Sequence, residues 1–188
     1  MEKEELFLRN KFLDLARNAY FKNIVTYSMF LNLNEQTIFE TIQKELPNIR
    51  HVMFGGYSEA ERKIVCFYCD NIPEFDMLEY IKISPVNKKF ADELTHRDFL
   101  GALMNLGIER HMVGDICIVD NTAHIITFKS MSETIISELI TVKHTKVVLE
   151  RESADELKAV NRVEYKKINI PFERLDSIIG SIYNISRS

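Results

Sequence analysis

Between Met77 and Glu150 the chain switches back and forth between a period-two and a helical pattern, and the order of those switches leaves few folds open. Met77 to Ile83 reads as a strand that ends at Ser84-Pro85. Thr95 then opens a helix to Leu106. Its hydroxyl is placed to accept from the amide three residues on, and Asp98 suits the amide dipoles there. Phe99, Leu103 and Leu106 recur at helical spacing beside Ala102, and Gly107 is a natural stop. Val113-Gly114-Asp115 turns into Ile116-Cys117-Ile118-Val119, a run too short and too β-branched for a helix, so Asp115 to Val119 reads as a strand. Asp120-Asn121 is a two-residue turn into a strand over Ala123–Phe128. Met131–Ile140 reads as a second helix, capped by Ser130 or Ser132 and burying Ile135, Ile136 and Leu139; Lys146–Glu150 is the last strand. The order β-α-β-β-α-β is the ferredoxin-like plan, which RNA-recognition modules share with many unrelated proteins.

The residues before this unit pattern differently. Leu8, Phe12, Leu15 and Ala19 form the apolar stripe of a helix over residues 4–20. Asn34 reads as the N-cap of a second helix with Glu35 in its first turn and Ile38, Ile42 and Leu46 inward, ended by Pro47. Ile49–Phe54 and Lys63–Tyr68 read as strands joined through Gly55-Gly56. The glycine pair suits a hairpin loop, or a backbone that RNA or a neighbouring domain approaches closely. The expected fold class is therefore α+β, with residues 1–72 a helical and small-sheet unit and residues 73–151 a ferredoxin-like, RRM-like unit. Residues 152–188 would hold a charged helix or linker over 152–158, an alternating strand over 163–170 and a helix over 172–183.

At 46% hydrophobic and 28% charged residues, the 188-residue chain has the make-up of a globular protein. No apolar run approaches the roughly 20 residues of a membrane helix, and the acidic start lacks the pattern of a secretion signal. Three cysteines without such a signal imply reduced thiols and a cytoplasmic location. A net charge of −4 argues against a general nucleic-acid binder, unless the cations gather on one face.

Sites of chemistry are scarce. His96-Arg97-Asp98 matches the start of a kinase catalytic loop, but position 103 is Leu where that loop needs a magnesium-holding Asn. Cys66 and Cys69 form a lone CxxC, and a strand would point them to opposite faces; zinc would need two further ligands. The histidines at 51, 96, 111, 124 and 144 fit no metal-ligand spacing. No nucleophile, cofactor or metal is expected, and the chain reads as not an enzyme. The third strand of the ferredoxin-like unit lacks the aromatic pattern with which RNA-recognition modules stack bases, leaving only Phe128, His124 and Tyr80 for that role. RNA contact would then rest on phosphate, with Lys88, Lys89, Arg97, Arg110, His111 and Lys129 as the candidates.

Three motifs in order carry a family resemblance: Gly55-Gly56-Tyr57…Ala60-Glu61-Arg62-Lys63, then His96-Arg97-Asp98-Phe99-Leu100-Gly101…Leu106-Gly107-Ile108…Arg110…Gly114-Asp115-Ile116, then Arg174-Leu175-Asp176…Ser186-Arg187-Ser188. They resemble the YlmH family, bacterial S4-domain RNA-binding proteins. The third motif resembles the opening of an S4 domain, and the chain stops after the first helix of that domain, as a shortened piece or a protein lacking the rest would. The resemblance implies a non-catalytic protein associated with ribosomal RNA, or with large ribosomal subunits carrying peptidyl-tRNA in translation quality control. His96, Arg97, Arg110, Lys129, Arg174, Ser186 and Arg187 would contact RNA. The implied partners are ribosomal RNA or tRNA and the large subunit, with no membrane. A protein-interaction scaffold that pairs through its sheet, a second copy included, is the alternative from another class, and an RNA-modifying enzyme is a weaker one.

Overall fold

The computed structural model describes residues 3–160, with side chains through Leu157. Arg174, Ser186 and Arg187, and the strand and helix expected over 163–183, lie outside the described residues.

The chain begins with α1 (Lys3–Lys22), which buries Phe12, Ala16 and Ala19 on one stripe. A two-residue strand, β1 (Thr26–Tyr27), follows; it is too short to leave a periodic signal. The next helix, α2 (Leu33–Ile42), is capped by Asn32 rather than by the expected Asn34. The Asn32 side chain accepts from the Glu35 amide at 2.9 Å, while the Glu35 carboxylate accepts from the Asn32 amide at 2.7 Å, a reciprocal box that position 34 has no partner to make. Then β2 (Arg50–Phe54) and β3 (Ile64–Tyr68) pair antiparallel, and β3 lies between β1 and β2 with all five of its residues buried.

The second part runs β4 (Leu78–Pro85), α3 (His96–Asn105), β5 (Val113–Val119), β6 (Thr122–Phe128), α4 (Lys129–Glu138), β7 (Thr141–Val142) and β8 (Thr145–Glu152), with α5 (Ala154–Val160) after it. Its strands lie in the order β5-β6-β4-β8-β7, antiparallel throughout. The four long strands give the order that the ferredoxin-like plan requires, so the expected α+β class holds. The short β7 is an addition at one edge.

Local chemistry departs from expectation at two helix and strand ends, while the expected Thr95 cap forms as part of a reciprocal box with Asp98. The Asp98 carboxylate accepts from both the amide (2.8 Å) and the hydroxyl (2.6 Å) of Thr95. The start of α3 is thus held largely by the acid at its third position. Neither Ser130 nor Ser132 caps α4, which starts earlier, at Lys129; the Ser132 hydroxyl instead donates to the Lys129 carbonyl at 2.9 Å. Pro85 is the last residue of β4 and not a residue beyond it, because the partner strand continues to Val147 opposite. Asp120 and Asn121 form the two-residue turn as expected, with φ of 48° and 63°.

Among the described residues, three apolar clusters hold the fold together. One lies under α3 and α4, where Ile81, Ile83, Phe99, Leu103, Ile125 and Ile135 are fully buried. A second joins α1 and α2 to β3 through Phe12, Phe39, Ile42 and Phe67. The third joins the two parts: Phe30 and Ile64 from the first pack against Leu78, Ile126 and Phe128 of the second sheet and Leu157 of α5. Each large side chain so buried contributes roughly 1.5–3 kcal/mol over an exposed one.

Candidate nucleic-acid interface

The four long strands of the second sheet have a helix side and an outer side, and RNA-recognition modules use the outer side. Here it is occupied by the chain's own residues. Phe128 is 5% exposed and packs against the Phe30 ring, centroids 5.1 Å apart. The Tyr80 hydroxyl donates to the Gly56 carbonyl at 3.2 Å. His124 is buried, its Nδ1 lying 2.8 Å from one Glu152 carboxylate oxygen and 3.0 Å from the other. All three side chains able to stack a base on the sheet therefore have protein partners.

The covering segment owes its approach to glycine. A Cβ on Gly56, whose φ is 101°, would stand 2.7 Å from Ile126 Cδ1, and one on Gly55 would stand 2.3 Å from the Arg62 carbonyl oxygen. Gly55-Gly56 thus sits in the loop between two paired strands and also meets the neighbouring sheet, so both readings of the pair apply.

Beside it, β5 carries a bulge. Val113 pairs with Thr127 and Ile116 with Ile125, so one extra residue is accommodated at Gly114-Asp115. The bulge aims the Asp115 carboxylate at the 57–62 loop, where it accepts from the Tyr57 hydroxyl (2.7 Å), the Glu61 amide (2.8 Å) and the Arg62 amide (2.9 Å). Burial and the facing carboxylate keep the Tyr57 phenol protonated far above its ordinary range. Arg62 donates to the Phe30 carbonyl at 3.0 Å, and the Phe30 amide donates to the His111 carbonyl at 3.0 Å. The first family motif and the end of the second therefore meet as a latch between the two parts of the chain.

Arg110 belongs to this latch. Its guanidinium donates to the carbonyls of Val113 (2.5 Å) and Gly114 (3.0 Å), and burial, with Arg62 nearby, brings its pKa down to about 10. His96 and Arg97 sit elsewhere, exposed at the opposite rim of the sheet where α3 begins. Arg97 borders a surface cavity with Asp98, Gly101, Asn105, Glu138 and Lys143. Lys143 Nζ lies 2.9 Å from the Asp98 carboxylate. The hydrogen bonds from Thr95, then those from Lys143, hold Asp98 down to about 2. Lys129 is exposed at the start of α4, on the latch end of the sheet, with its amide bonded to the Met77 carbonyl. The structure thus splits the four described candidates, with His96 and Arg97 at one rim and Arg110 and Lys129 at the other.

At the His96–Arg97 rim stand Lys88 and Lys89, both exposed, and Phe90, which is 80% exposed. Phe90 escaped the sequence-based reading, though an aromatic directly after two lysines in a loop is a usable signal. Among the described residues no three His, Cys, Asp or Glu side chains are placed to hold a metal ion. Cys66 is buried, and burial pushes its thiol up to about 11; Cys69 is half-buried, with Sγ 3.5 Å from the Ala19 carbonyl oxygen. No described helix is long and apolar enough to cross a membrane.

Residues 74–156 match a family model described as "Putative RNA-binding domain in YlmH". The ribosome-associated protein quality control protein P2 of Bacillus subtilis (strain 168) is 29% identical over 164 residues, covering 84% of this chain and 62% of that protein. The chain thus spans less than two thirds of that relative. In structure it resembles the cell division protein ylmH from Streptococcus pneumoniae, with a TM-score of 0.66 at 22% identity, over 83% of this chain and 95% of that one. That likeness establishes the fold.

Proposed function

We propose that this protein binds RNA as part of a ribosome-associated assembly, on the ground that residues 74–156 match the model of a putative RNA-binding domain in YlmH. The observation that carries the reading is the family match over the ferredoxin-like unit. The relative's name supplies the ribosomal setting. In the finer form of the proposal the RNA is ribosomal RNA or tRNA on a large subunit carrying peptidyl-tRNA, in the quality control of interrupted synthesis. Residues 1–72 and 73–151 act as two joined units, and the protein works without catalysis.

The sealed sheet supports a contact made at its rims. With Phe128, Tyr80 and His124 engaged, RNA meets the rims, where cations stand free of the sheet face. His96 and Arg97 at the exposed start of α3 are the primary phosphate contacts, with Lys88 and Lys89 beside them, and Lys129 adds one at the far rim. Arg110 contributes by shaping the latch.

Co-sedimentation with purified large ribosomal subunits at about 50 and 200 mM salt tests this, because each phosphate contact adds roughly 0.7–0.9 to the salt slope of binding. Binding that falls steeply with salt and weakens further in Arg97→Glu is expected. Binding that ignores salt, or no binding at either concentration, sinks the reading.

A second reading, contact with a protein, is favoured by one feature of the first unit. Phe7 and Phe21 on α1 are 71% and 76% exposed, and Phe7 borders a groove with Leu8, Met29 and Ile38. Co-sedimentation that is lost in Phe7→Ser and Phe21→Ser, with little response to salt, would favour it.

A further inference from the structure

The segment from Val86 to Ala91 joins β4 to α3 at the rim opposite the latch. Lys88–Phe90 form a single 3-10 turn, organised by the Asn87 side chain, which accepts from the Lys89 amide at 3.1 Å. Both ends of the segment are tied to the neighbouring edge of the sheet. The Val86 amide donates to the Lys146 carbonyl at 2.9 Å, and the Asp92 amide donates to the Thr145 hydroxyl at 2.8 Å. A loop fixed in this way would be expected to tuck its phenylalanine inward. Instead Phe90 is 80% exposed, the largest value of any large apolar side chain among the described residues.

Its chemical surroundings are one-sided. Lys88 and Lys89 precede it, no acidic residue lies between Val86 and Ala91, and Lys89 Nζ stands 5.7 Å from the Phe90 ring centroid. This occurs in a chain whose net charge is −4, so the local excess of cations is not a reflection of composition. The nearest acid in sequence, Asp92, accepts from the Thr145 hydroxyl at 3.1 Å and from the His144 amide at 3.3 Å, so its charge is engaged in holding the loop. Among residues 73–151, Phe90 is also the sole exposed phenylalanine or tyrosine, since Phe75 and Tyr80 are half-buried and Phe99 and Phe128 buried.

We propose that Phe90 stacks on a base of single-stranded or looped RNA, with Lys88 and Lys89 holding the flanking phosphates. A flat ring presented with ammonium groups beside it is the pairing that single-strand binders use, because every base has a π-face and every nucleotide a phosphate. An apolar protein surface would bury those lysines without a counter-charge, which makes it the poorer occupant. The inference rests on the RNA-binding reading above and adds a base contact that phosphate binding alone does not supply.

The chain contains no tryptophan, so Phe90→Trp introduces a single fluorescent reporter at the contact. Titration of that variant with an unstructured RNA of about ten nucleotides should quench its emission saturably. Phe21→Trp, equally exposed on α1, should stay bright. By anisotropy with labelled RNA, Phe90→Ala and Phe90→Leu should each lose affinity on the order of ten-fold, and the Lys88→Ala/Lys89→Ala pair should lower the salt slope. If the parent chain binds RNA while Phe90→Trp stays unquenched and Phe90→Ala binds as before, the stacking proposal fails and the RNA reading stands. If the parent chain binds neither this RNA nor ribosomal subunits, both fail. Equal quenching of the Phe21→Trp reporter, or quenching of the Phe90→Trp reporter by a polyglutamate peptide with Phe90→Leu harmless, also overturns the proposal, the latter in favour of an acidic protein.

Discussion

The Tyr57 hydroxyl donates to the Asp115 carboxylate at 2.7 Å, joining residues 58 positions apart. The same carboxylate takes the amides of Glu61 and Arg62, so one acid from a strand bulge orders a loop that belongs to the other sheet. Asp115→Ala leaves two backbone amides and a half-buried phenol without their acceptor. A loss of about 2–4 kcal/mol is expected, since bonds to a charged acceptor are worth more than neutral ones and the vacated donors are partly desolvated. Thermal unfolding of Asp115→Ala, Tyr57→Phe and the double variant checks it: the double variant should be less destabilised than the sum of the singles.

Two glycines give changes of opposite sign. Gly56→Ala places a Cβ at φ 101° and 2.7 Å from Ile126, and about 1–3 kcal/mol of destabilisation should follow. Gly101 lies inside α3 with nothing within 4 Å of a Cβ, so Gly101→Ala should stabilise by about 0.5–1 kcal/mol. Urea midpoints of the two variants should move in opposite directions from the parent.

Asp98 supplies a pH signature. Its hydrogen bonds from Thr95 and Lys143 hold its pKa at about 2 against an ordinary 3.8. A carboxyl depressed in the folded state contributes its stability above the unfolded value and loses it as pH falls through the folded one. The gap in melting temperature between the parent and Asp98→Asn should therefore be constant above about pH 4 and close toward pH 2.

Cys66 offers a chemical readout. With its thiol fully buried and raised to about 11, it should resist a thiol-specific reagent at pH 8 until the protein unfolds. Labelling followed by peptide mass spectrometry should find modification at Cys69 or Cys117 well before Cys66.

Much of the fold was legible because it is written in local periods. The stripe Phe99, Leu103, Leu106 and the Asp120-Asn121 turn were readable within a few residues of themselves, and the strand order followed from the element order. What escaped was set by particular partners, near or far along the chain, that a periodic pattern does not record. Asn32 outranks Asn34 as a cap because of where Glu35 reaches, and β1 and β7 exist because a longer strand waits beside each. The role of Asp115 could not be read from Gly-Asp-Ile, since its three donors lie more than fifty residues earlier. At the candidate interface, His96 and Arg97 are exposed at a helix start, the placement their sequence position suggests. Arg110 looked the same on paper, yet its guanidinium turned inward to two carbonyls. Phe90 was missed because an aromatic residue is taken for core until its exposure is measured.

The seal over the outer side of the sheet bears on how the molecule may be divided. Phe30 and Gly56 come from before the ferredoxin-like unit and Leu157 from just after it, and all three close on Leu78, Ile126, Phe128 or Tyr80. A fragment cut to residues 74–156 would carry every strand of that sheet yet bare a strip of isoleucine, leucine and phenylalanine to water. The stretch that the family model matches is thus, in this molecule, smaller than the unit whose apolar surface is closed to water.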